Sequence, residues 1–131
     1  MDFNDNKPIY LQLADQIMDE VESSVRHDGA RLPSVREYAA KTGVNANTVM
    51  RTYTLLQQDG IIYNQRGIGY FYADDARSRV LDKRRRNFFE RDVKYFMERM
   101  AALQITPEEI NKLYTDYLSQ RPTEVRNEAI K

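Results

Sequence analysis

The sequence predicts a mostly α-helical protein with one small β-hairpin: a winged helix-turn-helix followed by a two-helix C-terminal dimerisation appendage. Three observations predict it. Two helical patterns stand on either side of a short Gly43-Val44 connection, the outline of a helix-turn-helix. An aromatic and β-branched segment broken by Gly67 and Gly69 follows them. A long apolar pattern without Pro or Gly then runs from Ala76 to Gln104, and a second apolar helix succeeds it. A chain of 131 residues and 15.5 kDa has room for one ordinary domain, or a small domain with an appendage.

Pro8 reads as a first-turn residue of the first helix, whose apolar positions Ile9, Leu13, Ile17, Val21 and Val25 recur every four residues, widened by Tyr10 and Ala14. It should stop by Gly29. Ser34 can cap a second helix, and Glu37, three residues on, can complete a capping box; Val35, Tyr38 and Ala39 supply the buried side and Gly43 the stop. Asn45 caps a third helix running to Gly60. At 100° per residue, Val49, Tyr53 and Leu56 form its buried stripe, and Asn47, Arg51, Thr54 and Gln58 its opposite face, flanked by Thr48. Amides, hydroxyls and one guanidinium differ from the Glu/Lys mixture that usually solubilises a helix. They suit hydrogen bonding to base edges and phosphates.

After Gly60, the runs Ile61-Ile62-Tyr63-Asn64-Gln65 and Tyr70-Phe71-Tyr72-Ala73 flank Arg66-Gly67-Ile68-Gly69, which predicts a hairpin. Its tip would present Arg66, and Gly67 would let the backbone approach a phosphate or the floor of a minor groove. Asp74-Asp75 close the hairpin, so residues 1–74 are expected to form the DNA-binding domain, 75–120 a helical dimerisation module and 121–131 a flexible tail. In the module, Phe89, Val93, Phe96, Met100 and Leu103 recur at alternating spacings of four and three, the mark of a helix that lies against another. Thr106-Pro107-Glu108-Glu109 forms a second capping box ahead of Ile110, Leu113, Tyr114, Tyr117 and Leu118. Two helices of this size cannot bury both apolar faces by themselves, and a second copy of the chain is the simplest partner.

Composition narrows the chemistry. There is no Cys and one His, which removes thiolate nucleophiles, disulfides and Cys- or multi-His metal sites, and no cofactor is implied. The adjacent carboxylates Asp19-Glu20, Asp74-Asp75 and Glu108-Glu109 sit at element ends, where capping and solvation account for them, so no enzyme is expected. Met1-Asp2-Phe3-Asn4-Asp5 has neither the basic nor the apolar region of a signal peptide and no run approaches the length needed to cross a bilayer, so a cytoplasmic location with no membrane partner is expected. Twenty basic residues balance twenty acidic ones, yet the distribution is uneven. Residues 26–66 carry six bases against three acids, and 76–91 seven against two, including Lys83-Arg84-Arg85-Arg86; such blocks can attract a polyanion from a neutral chain.

Taken together, Pro8-Ile9-Tyr10-Leu11-Gln12-Leu13, Arg31-Leu32-Pro33-Ser34-Val35-Arg36-Glu37, Gly43-Val44-Asn45-Ala46-Asn47-Thr48-Val49, Tyr53, Gly60-Ile61-Ile62 and Arg66-Gly67-Ile68-Gly69-Tyr70-Phe71 closely resemble the GntR family of bacterial transcription regulators. The resemblance covers roughly residues 8–73, and the short helical tail looks like that of the family's YtrA-type branch, where it serves dimerisation. It implies a homodimeric, sequence-specific binder of double-stranded DNA, most simply a repressor on an inverted-repeat operator. It assigns DNA contact to Arg36, to Asn47, Thr48 and Arg51 in the recognition helix and to Arg66 and Gly67 at the wing, with Ser34 and Asn45 beside them. Two positions depart from the family pattern. Met50 stands where arginine is common, which removes a phosphate or guanine contact and leaves at most an apolar surface for a thymine methyl. Asp28-Gly29-Ala30 replaces the usual Pro-Gly. An unknown small-molecule effector, if one exists, would have to act at the dimer interface. The alternative is a winged-helix protein–protein adaptor without sequence-specific DNA binding, which has little need of an Asn-x-Asn-Thr-x-x-Arg face.

Overall fold

The computed structural model describes residues 7–23 and 29–121. Its elements are α1 (Ile9–Glu22), α2 (Val35–Thr42), α3 (Ala46–Gln58), β1 (Ile62–Gln65), β2 (Gly69–Tyr72), α4 (Ala76–Asn87), a π-helical segment (Phe88–Val93), α5 (Lys94–Ala102) and α6 (Pro107–Gln120). The chain divides into two compact units between Arg86 and Asn87. The expected tail beyond Arg121 and the expected helical position Val25 lie outside the described residues.

In the first unit, Pro8 takes the N-cap of α1, one place before the first turn, and its carbonyl accepts from the Leu11 and Gln12 amides. The buried face is Leu13, Ala14, Ile17, Met18 and Val21, whereas Ile9 is 51% exposed. A strict four-residue spacing drifts by roughly 40° per step on a 3.6-residue helix, which carries Ile9 away from the centre of that face and brings Met18 in.

The helix-turn-helix follows the local rules closely. The Ser34 hydroxyl accepts from the Glu37 amide at 3.1 Å and the Glu37 carboxylate accepts from the Ser34 amide at 2.8 Å, a complete capping box. Gly43 ends α2 at φ 73°, a left-handed conformation that costs glycine little, and Asn45 Oδ1 accepts from the Asn47 amide to open α3. Three residues, Gly43 to Asn45, thus separate the two helices.

The hairpin pairs Ile62 with Tyr72 through Gln65 with Gly69, leaving Arg66-Gly67-Ile68 as a three-residue connection in which Gly67 sits at φ 79°. On its outer face, Tyr63 and Phe71 stack with ring centroids 5.7 Å apart. Residues 29–32 add a third edge, which the sequence reading does not contain. The Gly29 amide donates to the Tyr72 carbonyl, the Tyr72 amide to Ala30 and the Leu32 amide to Tyr70, so this segment runs antiparallel along β2.

The first unit also continues past the break expected at residue 74. Ala76 and Val80 of α4 are buried in the same core as α1 and α3. Lys83 pairs with Asp59, while Arg84 reaches Asp19 and Glu22 of α1 and the Asp15 carbonyl. Asp74-Asp75 therefore mark a change of secondary structure, and the compact unit closes twelve residues later because α4 has its own apolar and ionic attachment to α1 and the end of α3.

The second unit departs from the single α-helix expected from Ala76 to Gln104: Phe88–Val93 are π-helical and α5 ends at Ala102. The stop is a Schellman arrangement, with the Ile105 amide donating to the Met100 carbonyl and the Gln104 amide to Ala101, and Gln104 takes φ 58° where glycine is usual. The second capping box forms as the sequence reads, Thr106 with Glu109 ahead of Pro107 at the first helical position. No described residue of this unit is buried.

Candidate nucleic-acid interface

Helix α3 is held by one side and offers the other. Val49, Thr52, Tyr53 and Leu56 are fully buried. Tyr53 sits edge-on to Tyr38 and Tyr70, with ring centroids 6.1 and 4.9 Å away, and its hydroxyl donates to the Pro33 carbonyl at 2.7 Å. Burial first, and then the surrounding tyrosines and Glu37, pushes the Tyr53 hydroxyl well above its ordinary value, so it remains a donor throughout the physiological range. This bond ties α3 to the segment that leads into α2. Thr52 does the same towards α1: its hydroxyl donates to the Tyr10 carbonyl at 2.8 Å and lies 3.2 Å from the Thr48 carbonyl.

On the outward side Asn47, Arg51, Thr54 and Gln58 are exposed and Thr48 is half-buried, as the periodicity predicts. Arg36 on α2 and Asn45 at the cap are exposed as well, whereas Ser34 is half-buried with its hydroxyl oxygen engaged in the capping box. Asn45 spends its side-chain carbonyl on the Asn47 amide, which leaves its NH₂ group as the donor for a ligand. Arg66 and Gly67 are exposed at the hairpin tip. Arg36, Arg51 and Arg66 form no ion pair among the described residues, so their positive charge is uncompensated by a partner. Arg51 does have a support: its guanidinium carbon lies 3.9 Å from the centroid of the Tyr10 ring. Met50, 44% exposed, lies beside the wing, with its sulfur 3.9 Å from the Tyr70 hydroxyl.

The basic run on α4 behaves differently. Lys83 and Arg84 are half-buried and bonded to acidic partners inside the unit. Burial opposes the charge of Arg84, but the hydrogen bonds and negative charges of Asp19 and Glu22 outweigh it and raise its affinity for the proton. These two cations serve to fix α4 to the core. With their donors engaged by Asp19, Glu22 and Asp59, they offer less uncompensated charge to a phosphate than Arg36, Arg51 and Arg66.

The apolar residues read as a seam divide in the second unit. Val93, Met100 and Ile110 are half-buried, and Phe89, Phe96, Leu103, Leu113 and Tyr117 are more than half exposed, Tyr117 at 64%. Phe88, Tyr95, Met97 and Tyr114 add to the exposed set. An apolar surface this dense on so small a unit is characteristic of a contact site.

Two contributors escape the sequence reading. Tyr10 looks like part of an apolar stripe, and nothing in the spacing of α1 says that its ring lies under Arg51. Thr52, which the outward set Asn47, Arg51, Thr54 and Gln58 leaves out, is a buried crosslink; the one available signal is its place beside Tyr53 on the buried side of the helical wheel.

Comparison with known proteins agrees with this geometry. Residues 9–71 match the model of the family described as bacterial regulatory proteins, gntR family. The chain is 39% identical over 108 residues to YhcF, an uncharacterized HTH-type transcriptional regulator of Bacillus subtilis (strain 168), covering 82% of this chain and 88% of that one. It is 33% identical over 82 residues to the HTH-type transcriptional repressor YtrA of the same organism, 63% of each chain. Among solved structures it is similar to a GntR-family protein from Bacteroides thetaiotaomicron, with TM-score 0.78, 40% identity and coverage of 88% of this chain and 100% of that one. Among the described residues, no helix is long and apolar enough to cross a membrane.

Proposed function

Because this chain belongs to the gntR family of bacterial regulatory proteins and is a transcription regulator with a DNA-binding helix-turn-helix, we propose that it is a cytoplasmic repressor that binds an inverted-repeat operator as a homodimer. The observation that carries this reading is α3, whose one side is locked by Tyr53 and Thr52 while Asn47, Arg51, Thr54 and Gln58 stand outward. A rigid helix with a polar, singly charged face can enter a major groove without losing its own packing.

Two copies of α3 would occupy successive major grooves, so the half-sites lie about one helical turn, roughly 34 Å, apart. Asn47 and Thr48 read base edges, and Asn45 and Ser34 donate to the backbone beside them. Arg36 and Arg51 bind phosphate or guanine, and Arg66 with Gly67 approaches the neighbouring minor groove. The second unit supplies the contact between copies through Phe89, Val93, Phe96, Met100, Leu103, Ile110, Leu113 and Tyr117. Repression is the simpler outcome, since occupying a promoter needs no further domain; the similarity to the repressor YtrA supports it. A small-molecule effector would act where the copies meet, by changing the separation of the two recognition helices.

Capture of genomic fragments by the full chain, followed by titration of the tightest fragment, tests the proposal. Arg51→Ala is expected to weaken binding by about 1–3 kcal/mol, with relaxed preference at one base pair if it reads an edge and a uniform loss if it holds phosphate. Unchanged affinity would remove Arg51 from the interface, and failure to retain any duplex would favour a protein–protein adaptor.

A further inference from the structure

Two arginines of the first unit, Arg84 and Arg51, are held in different ways. Arg84 is gripped by carboxylates, which satisfy its donors and cancel its charge. Arg51 is held through its face, over the Tyr10 ring. A ring face attracts the cation through its quadrupole without carrying a charge, and it leaves the guanidinium's edge donors directed elsewhere. An aromatic platform therefore limits the motion of a long side chain and preserves what a DNA contact needs, the charge and the planar fork.

The platform is itself fixed. Thr52, one residue after Arg51 and fully buried, donates its hydroxyl to the Tyr10 carbonyl at 2.8 Å, so the first turn of α1 is registered on the helix that carries Arg51. Tyr10 is half-buried, and no ion pair competes for Arg51 among the described residues. We propose that Tyr10 is a positioning residue for DNA recognition, whose ring, anchored through Thr52, holds the Arg51 guanidinium in place without a carboxylate partner before DNA arrives. The gain comes from ordering the arginine in the free protein, which lowers the entropy lost on binding. It rests on the reading that Arg51 meets DNA.

The experiment uses the full chain and the tightest duplex that wild type retains from a random pool. Tyr10→Phe keeps the ring, Tyr10→Leu removes it, and pentafluorophenylalanine at position 10 keeps the shape while reversing the quadrupole. Tyr10→Phe is expected to bind as wild type does, and the other two roughly three- to tenfold more weakly, the range of one cation–π contact. In the Arg51→Ala background, Tyr10→Leu should change affinity by less than about twofold, because the pair it uncouples is already gone. Equal losses in both backgrounds, or a fluorinated ring that binds like Phe, would overturn the proposal. The free protein gives a readout that needs no DNA: the Arg51 side-chain protons are expected to be shifted upfield by the Tyr10 ring current, and to return in Tyr10→Leu. A missing shift in a protein that retains duplex overturns the positioning role alone. A clear shift in a protein that retains none overturns the DNA-contact reading, and the positioning role with it.

Discussion

The two units of this chain use similar helices to opposite ends. In the first, Leu13, Ile17, Val49, Tyr53, Leu56, Ile61, Ile62 and Val80 are buried against one another, and the outward face of α3 is polar. In the second, no described residue is buried, and Phe89, Phe96, Leu103, Leu113 and Tyr117 stay largely exposed. Amphipathic helices of ordinary length occur in both, so local pattern does not make the difference. What differs is whether the chain supplies enough opposing surface of its own. The first unit brings four helices and a hairpin to one core; the second has α5, α6 and a π-helical turn. A unit that completes its own core can spare a polar face for DNA. One that does not is left with an apolar face to share.

The largest test of this contrast is Tyr53→Ala. It removes the ring set between Tyr38 and Tyr70 and the bond to the Pro33 carbonyl, and should destabilise the first unit by about 3–5 kcal/mol in urea denaturation. A loss below about 1 kcal/mol would show that this core can re-close around a cavity and is less committed than its burial implies.

Phe96→Glu addresses the other side. It should leave the unfolding of the first unit unchanged while weakening self-association about ten- to thirtyfold, or roughly 1.4–2 kcal/mol, as read by sedimentation. Wild type and variant sedimenting alike as single chains would remove the second copy as the occupant of this face.

The smallest effect compares one device in both places. Glu37 and Glu109 each accept from the backbone and then the hydroxyl of a capping residue, Ser34 and Thr106, and both are held below the ordinary carboxylate value. A lowered folded-state value means the stabilisation is present above the unfolded value, near pH 4.3, and is lost as pH falls through the folded one. Acidification from about pH 5 to pH 3 should therefore loosen both caps. The helical signal should fall more through α6 than through α2, because α2 is also held by Tyr38 in the core. Glu109→Gln is expected to flatten the circular-dichroism pH profile more than Glu37→Gln; equal flattening would mean that tertiary packing does not back up the first cap.

The legibility of the molecule follows the range of the forces involved. Both capping boxes, the Gly43 stop, the buried stripe Val49-Tyr53-Leu56 and the outward set Asn47, Arg51, Thr54 and Gln58 can be read from spacing alone, because they arise within one or two helical turns. The exposed Ile9 was within reach of the same arithmetic, since its place follows from helical drift. The π-helical turn was not: Phe88–Val93 carries no Pro or Gly to announce a break.

The sequence by itself thus determined α2 and α3, the caps that open α2, α3 and α6, the short turn between α2 and α3, and which side of α3 is polar. Only the tertiary structure decided that residues 29–32 run along β2, that α4 belongs with the first unit, and that Lys83 and Arg84 are paired inside it while Arg51 rests on Tyr10. Each of those outcomes joins residues some 24 to 69 positions apart. The physical reason is that periodicity and capping fix where a side chain points from its own helix, whereas its charge and mobility depend on which distant group the folded chain sets beside it.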